Sequence, residues 1–200
     1  MQVFLPVPDF AESLRILDDS RLRKQRVEAF QLLNVLMGRT STTGWKNHPA
    51  AVMFRRYIPA LQHYYNLSLA ENARRGYNNI KLQPETISDN ITMPHWLGDD
   101  EIHRTHRSRL MMKGKVDVLA DRIKRHHKKS ANSWLKSHNF SPLNEIRNDE
   151  YAEISALLNS LNAGQSPNAN YYSQFGWSEP DHLEYMWPGE TPDIPNRVLR

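Results

Sequence analysis

The sequence predicts an all-α fold: a compact helical domain around one long central helix, with a small helical hairpin insertion and an aromatic-rich irregular C-terminal segment. Three observations lead there. Apolar residues recur at intervals of three and four through most of the chain, which puts them on one face of a 3.6-residue turn. Capping and breaking residues mark helix entrances and exits. No segment alternates apolar and polar residues as a half-buried strand would, and no internal repeat is present.

Residues 1–8 are expected to be extended, because Pro6 and Pro8 oppose helix. Asp9, with Glu12 three residues on, forms a capping box for a short helix that Asp18, Asp19 and Ser20 end. The central helix is expected from Ser20, as N-cap, to Gly38, as stop. On it Arg21, Lys24, Gln25 and Glu28 share one stripe, which reads as charged surface. Leu22, Ala29, Phe30, Leu33, Leu36 and Met37 share another, which reads as core. Arg26 projects toward that apolar stripe, where a guanidinium needs a fixed partner.

A polar loop, Arg39 to Thr43, leads to Gly44-Trp45-Lys46-Asn47-His48-Pro49, a helix entrance with proline in the first turn. Pro59 kinks or divides the following segment, whose apolar positions, from Val52 and Met53 through Tyr64 and Tyr65 to Leu69, run to a stop at Arg75-Gly76. Gln83 to Thr92 reads as loop. Met93 to Asp99 then leads into a helix on which His103, His106, Arg107 and Leu110 share one face, and Lys115 to Lys129 continues as a basic helix. Ser133 to Leu161 reads as a helical hairpin with its own apolar set, Trp134, Leu135, Ile154, Leu157, Leu158 and Leu161. Asn162 to Asn170 is linker-like. The aromatic segment that follows, with Tyr171, Tyr172, Phe175, Trp177, Tyr185 and Trp187, is expected to wrap back over the main domain or to present stacking surface. The expected organisation is a main domain of residues 1–115 plus 171–200, with 116–170 as an inserted or appended module and linker.

Two hundred residues are enough for a good core. No run of about 18 apolar residues is present, and the first residues lack the charged start and long apolar stretch of a signal peptide, so a soluble intracellular protein is expected, with no membrane partner. With no cysteine, disulfides, thiolate metal sites and cysteine nucleophiles drop out. The net charge of +4 is modest, but residues 101–130 carry ten Lys and Arg against three acids, a field suited to phosphates. The competing reading is a solvated basic surface.

His103 and His106, with Asp99, Asp100 and Glu101 upstream, are compatible with two metal ligands and a carboxylate. Without a third ligand at defined spacing, polar packing or phosphate contact is the simpler reading, and no metal is expected. No glycine-rich phosphate loop, nucleophile elbow or dinucleotide fingerprint appears. Trp45 and Trp96 either fill the core or wedge into a duplex. Glu28 is a single carboxylate among Arg21 and Lys24, a group suited to stabilising a developing cation or accepting a proton. A chain-terminal α-amine is partly neutral near pH 7.7–8.0 and can form an imine with a sugar carbon. Its relevance here depends on Met1 lying beside Glu28.

Five motifs, in this order, carry a resemblance: Arg21-Leu-Arg-Lys24-Gln25-Arg26-Val-Glu28-Ala, Gly44-Trp45-Lys-Asn-His48-Pro49, Ala70-Glu-Asn-Ala-Arg74-Arg75-Gly76-Tyr77, His103-Arg-Thr-His106-Arg107-Ser, and Tyr185-Met-Trp187-Pro188. Together they resemble the pyrimidine-dimer DNA glycosylase family, over roughly residues 1–115 plus 171–188, and leave 116–170 unmatched. The resemblance implies an all-α enzyme acting on ultraviolet-damaged duplex DNA without metal or organic cofactor. It implies an N-terminal amine that attacks the sugar C1′, a glutamate that stabilises the intermediate, and β-elimination that nicks the strand. Carried onto this chain, Met1 supplies the amine. One gapless register puts Gln25 at the glutamate position, and a one-turn shift puts Glu28 there; both stay open. Arg21, Lys24, Arg26, His48, His103, His106 and Arg107 are the expected DNA contacts. The expectation is thus a DNA glycosylase with associated AP-lyase action on damaged or modified pyrimidines. The alternatives are a non-enzymatic DNA- or protein-binding module, the protein partner docking through 116–170, or a different modified-nucleobase enzyme.

Overall fold

The structure is a computed structural model that describes residues 2–41, 44–78, 81–127, 130–190 and 192. Among the described residues it is all-α, as the periodicity predicts: α1 (Phe10–Ile16), α2 (Asp19–Leu36), α3 (Pro49–Phe54), α4 (Ile58–Arg74), α5 (Asp100–His127), α6 (Ala131–Ser137) and α7 (Asn148–Ser160), then a 3-10 turn at Tyr171–Phe175, with no strand. The chain divides into two compact units, Met1–His106 with Tyr185–Arg200, and Arg107–Glu184. No helix among the described residues is long and apolar enough to cross a membrane.

In the first unit the helix boundaries follow from capping chemistry. Asp9 accepts the Glu12 amide at 2.7 Å and opens α1. The N-cap of α2 is Asp18 and not Ser20. Its carboxylate accepts the Arg21 amide at 3.0 Å and pairs with the Arg21 guanidinium at 2.6 Å, and an acid at a helix start also suits the positive end of the dipole. Gly38 ends α2 in the left-handed region (φ +67), as expected of it. His48 caps α3, with Pro49 in the first turn. Pro59 divides rather than kinks its segment, since α3 stops at Phe54 and Pro59 lies in the first turn of α4.

Helix α2 packs most extensively on α4, which also holds α1. The core comprises Leu5, Leu14, Leu17, Leu22, Leu32, Leu33, Phe54, Leu61, Tyr64 and Tyr65, each removed from water and each contributing about 1.5–3 kcal/mol. The buried stripe of α2 is Leu22, Gln25, Glu28, Ala29, Leu32 and Leu33. It corrects the sequence reading: Gln25 and Glu28 belong to the inward face, while Met37 is 39% exposed. The stripe turns because α4 and the chain start cover the side of α2 that the charge pattern assigns to solvent. Arg26 is half-buried, and its Nε donates to the Arg23 carbonyl of its own helix at 3.4 Å.

Arg75 fastens the far end of this unit. Its guanidinium donates to the carbonyls of Leu17 (2.8 Å) and Arg15 (2.9 Å), which α1 leaves unpaired at its end, and to Asp19 (2.9 Å) and Glu71 (2.8 Å). The neighbouring Arg74, bonded to Glu71, together with Arg75 holds the Glu71 carboxyl down at about 2.

The second unit has its own core of Leu119, Ile123, Trp134, Leu135, Ile154 and Leu158, drawn from α5, α6 and α7. Arg122 is buried and donates to Asn159 Oδ1 (2.8 Å) and the Ala163 carbonyl (3.2 Å), closing the end of α7. Gly114 leaves room for the Asn170 side chain, which donates to the Met111 carbonyl and which a Cβ at this position would displace. Tyr172 and Trp177 stack at 5.9 Å within this unit.

Replacing Arg75 by alanine strands these carbonyls and a carboxylate, and is expected to cost about 3 kcal/mol in denaturant unfolding. Arg74→Ala, at a side chain 64% exposed, is expected to cost under about 1 kcal/mol.

Candidate functional site

Val3, Phe4 and Leu5 are buried and Gln2 half-buried, with no strand beside them among the described residues, so side chains must satisfy their backbone groups. Gln25 supplies both halves of a bridge: its Oε1 accepts the Phe4 amide at 2.9 Å and its Nε2 donates to the Gln2 carbonyl at 2.6 Å. The same Nε2 lies 3.1 Å from Glu28 Oε2, which also accepts the Gln2 amide at 3.2 Å. The Tyr64 hydroxyl donates to Gln25 Oε1 at 2.6 Å and lies 3.3 Å from the Phe4 carbonyl. Burial pushes the Tyr64 phenol well above its ordinary value, with the Glu28 charge as a second cause, so it stays a donor.

On the other side, His106 Nδ1 accepts the Leu5 amide at 2.8 Å, and His103 Nδ1 bonds the Leu5 carbonyl at 2.7 Å. His103 Nε2 accepts the Gly98 amide at 3.1 Å, which makes its Nδ1 the protonated nitrogen. The two imidazoles, one turn apart on α5, thus treat the Leu5 peptide as a neighbouring strand would. Burial, with His103 as a lesser cause, pulls His106 down to about 3, so it is neutral. The expectation that His103 and His106 contact DNA is corrected by their exposure of 1% and 0%. They hold Leu5. Among the described residues no cluster of three or more His, Cys, Asp or Glu side chains is placed to hold a metal.

Of the expected cations, Lys24 is the open one: its side chain is 72% exposed and its Nζ lies 3.6 Å from Glu28 Oε1. Arg21 is tied to Asp18 with a side chain 14% exposed. His48 is half-buried; its Nδ1 accepts the Ala50 amide at 3.1 Å, and burial takes it down to about 4, so it is a neutral N–H donor rather than a cation. Its ring lies 5.0 Å from Trp45 and 5.9 Å from Trp187. Trp187 continues to Tyr185 (5.2 Å) and Tyr185 to Phe4 (6.2 Å), so an aromatic row runs from the solvent-facing Trp45 to the pinned chain start. The two tryptophans of the sequence reading separate: Trp45 is 43% exposed, while Trp96 is core and donates to the Met53 carbonyl at 3.2 Å.

In the second unit part of the basic stretch is paired or buried. Arg107 pairs with Glu179 at 2.6 Å, Arg125 with Asp121 at 2.8 Å, and Lys115 with Asp181, while Arg122 is buried. Arg107, expected as a DNA contact, is held by Glu179 with its side chain 13% exposed. The neutralising acids Glu179 and Asp181 are remote in sequence and invisible to a local charge balance. Met1, and Lys128 and Lys129 of the basic stretch, lie outside the described residues. Tyr64 was not singled out for the site by sequence reasoning. It is far from Gln25 along the chain, and nothing in helical periodicity separates a core tyrosine from one that closes a polar bridge.

Together these features define an all-α domain that presents its chain start beside a carboxylate on the central helix, with an aromatic row alongside. The model of the pyrimidine dimer DNA glycosylase family matches residues 1–83 of the chain. The match covers α1 to α4 and all of Gln25, Glu28 and Tyr64. No curated protein and no solved structure gives a significant match.

His106 makes stability depend on pH with a definite sign. Between about pH 3 and 6.5 the unfolded chain binds a proton at this position that the folded chain does not, so stability is lost as pH falls below 6.5. The expected slope from this group is about 1.4 kcal/mol per pH unit. Urea unfolding between pH 6.5 and 4.5, above the range in which Glu71 contributes, is expected to show it together with a similar share from His48, held down at about 4, and His106→Gln is expected to remove about half of the slope.

Proposed function

We propose that this chain is a pyrimidine-dimer DNA glycosylase with associated lyase action, acting on damaged duplex DNA inside the cell. The Met1 α-amine is the nucleophile. Its nitrogen bonds to the sugar C1′ as the bond from C1′ to the base breaks, the electron pair leaving with the base, which takes a proton from water. The proton that the amine gives up passes by way of Glu28 to the ring oxygen O4′, and the ring opens to a protonated imine. Loss of a proton from C2′ then expels the 3′ phosphate by β-elimination. The observation that carries this reading is the Gln2 amide on Glu28 Oε2 at 3.2 Å, because a single residue of covalent geometry separates that nitrogen from the Met1 amine.

Glu28 serves as the anion beside the positive charge that develops at C1′, and as acceptor for the proton that the amine releases. Lys24 is a phosphate contact on the exposed side of that carboxylate, with Arg26 and the neutral His48 N–H beside the path of the strand. Trp45, solvent-facing and backed by His48 and Trp187, is placed to fill the space that an unstacked nucleotide leaves. Support for the substrate comes from the family match alone.

The test is borohydride trapping on an end-labelled duplex that carries one cyclobutane pyrimidine dimer, with an abasic duplex in parallel. The expected result is a covalent adduct with both. Glu28→Gln is expected to lower the trapping rate by about 100-fold with DNA affinity kept, and reductive methylation of the α-amine to abolish trapping. Folded wild-type protein that binds these duplexes and gives no adduct would overturn the imine mechanism and leave a DNA-binding scaffold.

A further inference from the structure

Gln25 occupies an unusual position for a neutral side chain. It is 1% exposed, and its amide spends each polar atom twice: Oε1 on the Phe4 amide and the Tyr64 hydroxyl, Nε2 on the Gln2 carbonyl and Glu28 Oε2. A carboxylate could not do this, since two of the four contacts require donated hydrogens. Nor could an apolar side chain of the same shape, which would strand the Gln2 carbonyl, the Phe4 amide and one side of Glu28.

We infer that Gln25 is a positioning residue for the proposed reaction, locking residues 2–4 and the Glu28 carboxylate into one frame so that the chain-terminal amine and the anion meet the sugar together. This rests on the glycosylase reading above. It also decides between the two registers left open by the sequence: Glu28 is the reacting carboxylate, and Gln25 is the group that aims it. The bond from Nε2 fixes which Glu28 oxygen faces the chain start and leaves Oε1 toward Lys24 and solvent, where the substrate phosphates approach. The Tyr64 hydroxyl acts one step further out, holding the Gln25 amide against a flip that would exchange donor and acceptor.

Gln25→Glu is nearly isosteric and separates this role from packing. Its second oxygen would stand where Nε2 now stands, facing the Gln2 carbonyl and Glu28 Oε2 with no hydrogen between them, and only a bound proton would restore a bridge. The experiment measures single-turnover borohydride trapping on the dimer duplex, at saturating enzyme, from pH 5.5 to 8.5, for wild type, Gln25→Glu and Tyr64→Phe, with duplex affinity and melting temperature at each pH. The Gln25→Glu rate is expected to fall by about 100-fold against wild type at pH 8, with affinity changed less than about twofold. The ratio to wild type is expected to recover as pH falls, and the melting-temperature gap to close in step. Tyr64→Phe is expected to lower the rate with no such pH trend. A ratio that stays flat with pH, or a rate loss matched by lost affinity, overturns the positioning role while wild-type trapping leaves the glycosylase reading standing. Absence of any wild-type adduct sinks that reading, and this inference with it. Should Gln25→Glu fail to fold, a Tyr64→Phe rate equal to wild type overturns the inference.

Discussion

The structure depends on one constraint: the backbone of residues 2–5, buried from Val3 onward, pairs with no strand among the described residues. Five of its groups, the amide and carbonyl of Gln2, the amide of Phe4, and the amide and carbonyl of Leu5, are satisfied by Glu28, Gln25, His106 and His103. Each group left unpaired in the core would cost about 1–3 kcal/mol, so together they outweigh any one apolar contact nearby. The constraint explains why polar residues stand on the inward faces of α2 and the first turn of α5, where periodicity alone would place leucine. It also explains why the chain start can be immobile enough to serve as part of a site, since first residues are ordinarily loose.

Much of the fold was legible because helix limits are written locally. Asp9, Pro49, Pro59, Gly38 and Gly76 each act within one turn of chain, and each did what its chemistry implies. The start of α2 is ambiguous in the sequence because Asp18, Asp19 and Ser20 are all good caps, and the Arg21 guanidinium folding back on Asp18 decides it. The inward face of α2 is hidden from the sequence for a different reason. Charge and polarity mark a surface only when nothing polar needs covering, and here the uncovered backbone of residues 2–4 does.

The site was less legible, since its geometry joins residues far apart in the chain. Glu28 stands out in sequence as a carboxylate among cations, and its place beside the chain start fits that reading. The pair His103 and His106 has the spacing of metal ligands or phosphate contacts, yet it serves a peptide group of Leu5, a partner no local pattern could name. The basic run along α5 misled through its acids: Glu179 and Asp181 return from the far end of the second unit to pair Arg107 and Lys115. The cations still open near the chain start are few, and Lys24 is foremost among them.

The central claim is that side chains hold the chain start as firmly as a sheet would. Native-state hydrogen exchange at the Phe4 and Leu5 amides tests it most directly, because the side chains of Gln25 and His106 accept them. The account predicts that both exchange only through global unfolding, with protection equal to that of the central turns of α2. Exchange at the rate of exposed loop amides would contradict it, and with it the presentation of the chain start to Glu28.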